Sequence, residues 1–97
     1  DMVSFDSSQL ATRCRENGIR RLRLFGSAAR GEDRPDSDVD LIADFEEPIG
    51  FFELIRAEDD LADFFGRPVD LLTEPAISRF ILHDVLDSAR VIFERED

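Results

Sequence analysis

The sequence contains no lysine, tyrosine or tryptophan, and only one cysteine. Without lysine the chain cannot use a lysine amine in catalysis, and without tyrosine it has no phenol hydroxyl of its own to be modified. The single cysteine, Cys14, cannot form a disulfide within the chain. No signal peptide and no apolar run of membrane-spanning length is recognisable, so we expect a cytoplasmic protein that does not bind a membrane.

Basic residues are also scarce. The chain has 12, all of them arginine, against 23 aspartates and glutamates, and its formal net charge is -11 at pH 7. Such a surface repels a phosphate backbone and lacks the cations that release counterions when a protein binds nucleic acid. We therefore expect no direct nucleic-acid binding, and a basic protein is the better-suited partner.

The length sets the number of domains. The chain has 97 residues, of which 42% are hydrophobic, and this predicts a single domain over residues 1–97 with one core. Separate catalytic and substrate-binding domains do not fit into this length. A second surface that holds the substrate would therefore come from another molecule.

The order of local patterns is that of an α/β (α+β) fold. N-cap residue types at Asp6 and its two successors start a helix that ends at Asn17-Gly18. Further helices are predicted over Phe51–Phe65 and residues 75–86, and a turn or short helix over residues 27–31. Strands are predicted at Ile19–Phe25, Val39–Phe45 and residues 69–73 and 91–93. Residues 1–5 are expected to be frayed.

Apolar spacing also predicts which helix faces are buried. On the long helix the predicted buried positions are Phe51, Leu54, Ile55, Leu61, Ala62 and Phe65, with Asp59, Asp60 and Asp63 as a solvated face. On the last helix they are Ile77, Ile81 and Val85. Cys14 is predicted to be a core residue, and the lone histidine, His83, a surface or helix-capping residue. Phe51, Phe52, Phe64 and Phe65 suit core or partner-facing positions, because no basic residues alternate with them as a base-stacking surface requires.

A glycine-serine pair follows the first strand. Gly26 permits close approach of the backbone to a ligand, and the amides and hydroxyl at Ser27 can hold phosphate. Arg30 lies three residues after Ser27 on the same helical face. It could contact a triphosphate, although an exposed, solvated arginine is the alternative.

Two aspartates then stand one residue apart at the start of the second strand. Because side chains alternate along a strand, Asp38 and Asp40 point to the same face, with their Cα atoms roughly 6.5 Å apart. Mg²⁺ is commonly held by a few carboxylates and completed by substrate phosphates, so the pair is a candidate Mg²⁺ site. The alternative is that Asp36, Ser37 and Asp38 simply form a turn.

A third aspartate, Asp70, interrupts the apolar third strand, where a carboxylate is unfavourable unless that face opens onto a site. If the third strand lies beside the second, Asp70 joins Asp38 and Asp40, where it can bind a second metal ion and accept a proton from an attacking hydroxyl. Three such carboxylates repel each other without metal. The alternative is an ordinary surface residue of an edge strand.

These motifs together, Gly26-Ser27, Arg30-Gly31, Ser37-Asp38-Val39-Asp40-Leu41 and Asp70, resemble the minimal nucleotidyltransferase (MNT) family of the polymerase-beta superfamily. The resemblance implies a minimal palm, which is a small mixed sheet with flanking helices and a Mg-ATP site. It implies that Gly26 and Ser27, with Arg30 and Ser37, bind the triphosphate. It further implies that Asp38, Asp40 and Asp70 bind metal and form the catalytic set, with Asp70 helping to activate the acceptor.

Many members of that family are antitoxins paired with HEPN-domain ribonuclease toxins, and some transfer AMP from ATP to a toxin tyrosine. The resemblance implies the same activity for this chain, and its lack of tyrosine places any tyrosine acceptor on another chain. Two alternatives stay open: transfer to a small molecule such as an aminoglycoside, and neutralisation of the toxin by binding alone. A homodimer and a heteromeric complex are equally compatible with the sequence.

Overall fold

The computed structural model describes residues 3–31, 34 and 37–96. The predicted fraying of residues 1 and 2 and the predicted place of Asp36 in a turn lie outside the described residues. Val3 and Phe5 are partly buried against the core, and the Phe5 ring meets the Phe65 ring edge to face at 5.9 Å. The prediction that residues 3–5 are frayed is therefore wrong, because an aromatic contact anchors them.

The predicted order of helices and strands is confirmed. The elements are α1 Ser7–Glu16, β1 Ile19–Phe25, α2 Gly26–Arg30, β2 Val39–Phe45, α3 Phe51–Phe65, β3 Val69–Leu72, α4 Arg79–Ser88 and β4 Arg90–Glu94. The last helix starts later than predicted. Pro75 lies in a single 3-10 turn, Glu74–Ala76, and the extended backbone of Ile77 separates this turn from α4. The hydroxyl of Ser78 then caps α4 by accepting the N–H of Phe80 at 3.3 Å.

The four strands form one mixed sheet in the order β3-β2-β1-β4. β1 pairs antiparallel with both β2 and β4, whereas β2 and β3 are parallel. The parallel pair needs a crossover connection, and α3 supplies it. None of the helices among the described residues is both long enough and apolar enough to cross a membrane.

The core lies between one face of the sheet and the helices α1 and α3. Its fully buried members include Leu10, Cys14, Leu22, Leu41 and Leu61. The opposite face carries the alternate residues of β1 and β2, and these are largely charged. Arg23 is buried there and donates to Asp44 at 3.3 Å and to Glu74 at 2.7 Å.

The predicted buried helix faces need correction. Phe51 is 69% exposed and Ile55 37% exposed, because α3 packs through its later turns, at Ala57 and Leu61. α4 has no buried residue, and Ile81 is 52% exposed. This helix packs against α2 and β1, outside the main core.

The predicted solvated face of α3 also needs correction at one position. Asp60 is half-buried and accepts hydrogen bonds from the guanidinium of Arg13 and from the amide of Asn17. Asp59 and Asp63 are exposed, as predicted. Asp60 therefore joins α3 to the end of α1, which spacing along α3 alone cannot show.

Candidate active site

The parallel pairing of β2 and β3 brings two predicted site residues together. Asp40 lies opposite Asp70 in the register of these strands, and neighbouring strands are about 4.8 Å apart. Asp38 directly precedes β2 and, by strand alternation, lies on the same side as Asp40. The condition under which Asp70 joins the other two aspartates is thus met.

The electrostatics of Asp40 agree with this placement. The pKa of Asp40 is raised, first by its partial burial and then by the negative charges of Asp70 and Asp38. The two other carboxylates are exposed. The described ranges contain no group of three aspartate, glutamate, histidine or cysteine side chains that could hold a metal ion by itself, so these side chains form at most an open site.

The turn after β1 approaches Asp40 closely. Gly26 has a φ of +69°, and a Cβ atom built on it would lie 2.7 Å from Oδ2 of Asp40. Phe25, the residue before it, pairs with Asp40 in the antiparallel register of β1 and β2. A side chain at position 26 would therefore displace the Asp40 carboxylate, and the glycine is required both for its backbone conformation and for its size.

Ser27 and Arg30 lie in the short helix α2 that follows this turn. Ser27 is half-buried in the first turn of α2, and Arg30 is the exposed last residue. Gly31 follows α2 and caps its C-terminal end with a φ of 71°. The fold thus places Ser27 directly after Gly26, the glycine that faces Asp40. The contacts of Ser27 and Arg30 with phosphate stay predictions.

Ser37 forms the turn that leads to Asp38. Its hydroxyl accepts the backbone N–H of Arg34 at 2.9 Å, and its own N–H donates to the carbonyl of Arg34 at 2.9 Å. The hydroxyl therefore has a structural use. Binding of a nucleotide by Ser37 stays a prediction.

Two polar residues near the aspartates were not identified from the sequence. Arg67 donates to the carbonyl oxygens of Ser37 and Arg34 from across the fold. Glu58 of α3 accepts the backbone N–H of Leu71 at 2.9 Å, next to Asp70 on the edge strand. Neither residue belongs to a recognisable motif. The one local signal is for Arg67, which stands between Gly66, the glycine that follows α3, and Pro68.

Other polar features lie away from the aspartates. A cavity of about 550 Å³ lies at the opposite end of β2, where its lining includes Asp44, Glu47 and Glu74. His83 is exposed and lies 3.3 Å from Asp87, which confirms its surface role. Cys14 is buried, which confirms its core role, and burial raises the pKa of its thiol to about 12.

Comparison with known proteins agrees with the geometry. The family model of the nucleotidyltransferase domain matches residues 7–95. A protein of Methanocaldococcus jannaschii, provisionally named a protein adenylyltransferase, is 41% identical over 59 residues, covering 61% of this chain and 60% of that protein. The protein adenylyltransferase MntA of Thermococcus cleftensis is 39% identical over 69 residues, covering 71% of this chain and 70% of MntA. The chain thus spans less than two thirds of the first of these relatives.

Solved structures share the fold. One that is provisionally described as a minimal nucleotidyltransferase has a TM-score of 0.73 at 35% identity, covering 86% of this chain and 85% of its own. A chain in the crystal structure of a toxin-antitoxin with AMP-PNP has a TM-score of 0.77 at 18% identity, covering 95% of this chain and 76% of its own. A chain of the complex between tri-AMPylated Shewanella oneidensis HEPN toxin and MNT antitoxin has a TM-score of 0.67 at 16% identity, covering 92% of this chain and 70% of its own. The predicted palm-like fold is confirmed.

Proposed function

The chain belongs to the nucleotidyltransferase domain family, and from this premise we propose that it is a Mg²⁺-dependent antitoxin that transfers AMP from ATP to a hydroxyl group of a HEPN-type toxin. The acceptor is a tyrosine, and the modification neutralises the toxin. The observation that supports this most is the strand register that sets Asp40 beside Asp70, with Gly26 against the Asp40 carboxylate. The family match over residues 7–95 supports treating the chain as one nucleotidyltransferase domain.

The donor set suits magnesium. Asp38, Asp40 and Asp70 offer hard carboxylate oxygens, which Mg²⁺ prefers. The pKa of Asp40 is raised by its burial and then by the charges of Asp70 and Asp38, and a bound cation would relieve both effects. The three aspartates would hold Mg²⁺ with phosphate oxygens of the substrate completing its coordination. Bound there, the metal would neutralise charge that develops on the phosphates.

The aspartates would also serve the acceptor. Asp70 is exposed on an edge strand, where the hydroxyl of another protein can reach it, and it would accept the proton of that hydroxyl. The hydroxyl oxygen forms a bond to the α-phosphorus of ATP, the bond from that phosphorus to the bridging oxygen breaks, and pyrophosphate leaves. Gly26 and Ser27, with Arg30 and Ser37 nearby, would hold the triphosphate in line for this displacement.

The partner is inferred from similarity and from the surface. A structural neighbour is bound to a HEPN toxin that carries AMP groups, and the net charge of -11 suits a basic, RNA-cleaving partner. Phe51, Phe52 and Phe80 are 69%, 77% and 84% exposed, which offers apolar contacts for a partner protein. ATP is the proposed donor because another neighbour was crystallised with AMP-PNP.

A second candidate is neutralisation by binding alone. It is favoured by the exposed phenylalanines, which suit contact with a partner protein whether or not a nucleotide is transferred. In that case the chain would cover the toxin without transferring a nucleotide. Transfer of AMP would increase the mass of the toxin, whereas binding alone would leave its mass unchanged.

The test is intact mass spectrometry of the HEPN-type toxin encoded beside this protein, after incubation with Mg-ATP. Three forms of the antitoxin are compared: the wild type, Asp38→Asn, and Asp59→Asn as a matched control at an exposed aspartate of α3. We expect one or more AMP increments with the wild type and Asp59→Asn, and none with Asp38→Asn. Neutralisation by all three forms without any increment would refute the transfer and support binding alone.

A further inference from the structure

We propose that Arg67 is a positioning residue that fixes Asp38 beside Asp40 and Asp70, and this inference rests on the proposed metal site. Arg67 follows Gly66, the residue that ends α3, and it stands two residues before β3. It therefore lies just before the start of β3, the strand that carries Asp70. Its side chain reaches the loop that carries Asp38, so one residue joins both parts of the site.

Three hydrogen bonds of Arg67 are directed at the backbone just before Asp38. Its Nε and Nη2 donate to the carbonyl oxygen of Ser37 at 3.1 and 2.9 Å, and Nη2 also donates to the carbonyl of Arg34 at 2.7 Å. The Ser37 carbonyl belongs to the planar peptide unit that contains the nitrogen of Asp38. Holding this peptide plane in place fixes the Cα atom of Asp38, and this restricts the positions that the Asp38 carboxylate can reach.

The loop needs such an attachment because strand pairing begins after it. The first paired residue of β2 is Val39, opposite Val69, and the Val39 N–H donates to the carbonyl of Pro68 at 2.8 Å. Arg67 extends this connection by two residues, from Val39 back to Ser37. Asp38, which is exposed, thus lies between two backbone positions that are both bonded to the segment before β3.

The attachment opposes a repulsion within the site. Asp40 lies opposite Asp70 in the register of β2 and β3, and Asp38 stands two residues before Asp40, so without a cation the three negative charges repel each other. The exposed Asp38, on a loop, has the greatest freedom to move. A guanidinium that donates from two nitrogens in a fixed fork restrains the loop better than a single ammonium does.

Positioning and simple charge predict opposite effects on metal binding. If Arg67 acted only as a positive charge near the aspartates, its removal would strengthen the binding of a cation. If it holds Asp38 in place, its removal weakens that binding. Residues that orient metal ligands typically contribute about 10- to 100-fold to affinity.

The test measures binding of Mn²⁺ alone, without nucleotide, from the electron paramagnetic resonance signal of free Mn²⁺. The variants are Arg67→Met, which removes the donors, and Arg67→Lys, which keeps the charge but loses the fork. Arg13→Met is the matched control, because Arg13 also donates to a backbone carbonyl, that of Asp60, but on the α1 and α3 side. We expect about 10-fold weaker binding for Arg67→Met, a smaller loss for Arg67→Lys, and wild-type binding for Arg13→Met.

Thermal unfolding of each variant separates a local effect from general loss of stability. If Arg67→Met does not fold, Arg67→Lys carries the test, since its retained charge leaves positioning as the cause of any weaker binding. Mn²⁺ binding by Arg67→Met as tight as, or tighter than, that of the wild type would overturn the inference while leaving the proposed function intact. If Asp38→Asn binds Mn²⁺ as the wild type does, the metal site itself fails, and the inference fails with it.

Discussion

Replacing Gly26 with alanine tests the contact between the turn after β1 and Asp40. The new Cβ would lie 2.7 Å from Oδ2 of Asp40, whereas ordinary contacts begin at 3.4 Å. The carboxylate must therefore move by about 0.7 Å, and a misplacement of about 1 Å in a catalytic site can cost on the order of 100-fold in rate. The carboxylate is the end of a side chain, so it can move at little cost in stability while losing its place in the site.

The chain offers a matched control for the backbone effect. Gly18 has a φ of +68°, and a Cβ atom there would have no neighbour within 4 Å. Alanine at either position adopts a left-handed conformation that costs roughly 1–2 kcal/mol. For a domain of this size, each kcal/mol lowers the melting temperature by about 4–8 °C. Both variants should lose similar stability, and only Gly26→Ala should also lose the site geometry.

The assay compares initial rates of AMP transfer to the toxin, measured by intact mass spectrometry at a temperature where both variants are folded. We expect Gly26→Ala to transfer AMP about 100-fold more slowly than Gly18→Ala, and circular dichroism to give similar melting temperatures. Equal transfer rates in the two variants would refute the argument that Gly26 is required because of Asp40. A much lower melting temperature for Gly26→Ala alone would refute the assumption that the Asp40 carboxylate can move freely.

Two further predictions follow from groups whose pKa is shifted. Because the pKa of Asp40 is raised, ionisation destabilises the folded state above that pKa, and this penalty disappears as the pH falls through it toward the ordinary range of aspartate. Asp40→Asn should therefore have a higher melting temperature than the wild type at pH 7 in EDTA. The difference in melting temperature should be smaller near pH 4, and an equal difference at both pH values would contradict this prediction. Cys14 is buried, with a thiol pKa raised to about 12, so Ellman's reagent should react with it only as fast as the protein unfolds; rapid stoichiometric reaction of the native protein would contradict its core position.

The local patterns of the sequence predicted most of the secondary structure. β1, β2 and α3 have the predicted bounds, because alternation and helical spacing of apolar residues depend only on near neighbours in the chain. The shared face of Asp38 and Asp40 follows from the same alternation. The sequence predicted that Gly26 allows close approach of a phosphate, and it did not show that Asp40 lies against this glycine.

Contacts between distant segments were decided by the tertiary structure alone. The place of Asp70 depends on parallel pairing of β3 with β2, and that pairing forms only because α3 crosses over one face of the sheet and buries Ala57 and Leu61. The exposure of Phe51 was also decided by the tertiary structure. Apolar spacing shows that a helix has an apolar face, but it does not show how much of the helix length another element covers. The contact of Arg67 with the loop before β2 is also a tertiary effect. The hydrogen bonds that Arg67 donates to Ser37 and Arg34 go to their backbone carbonyls, and because every residue has such a carbonyl, no pattern in the sequence marks these bonds.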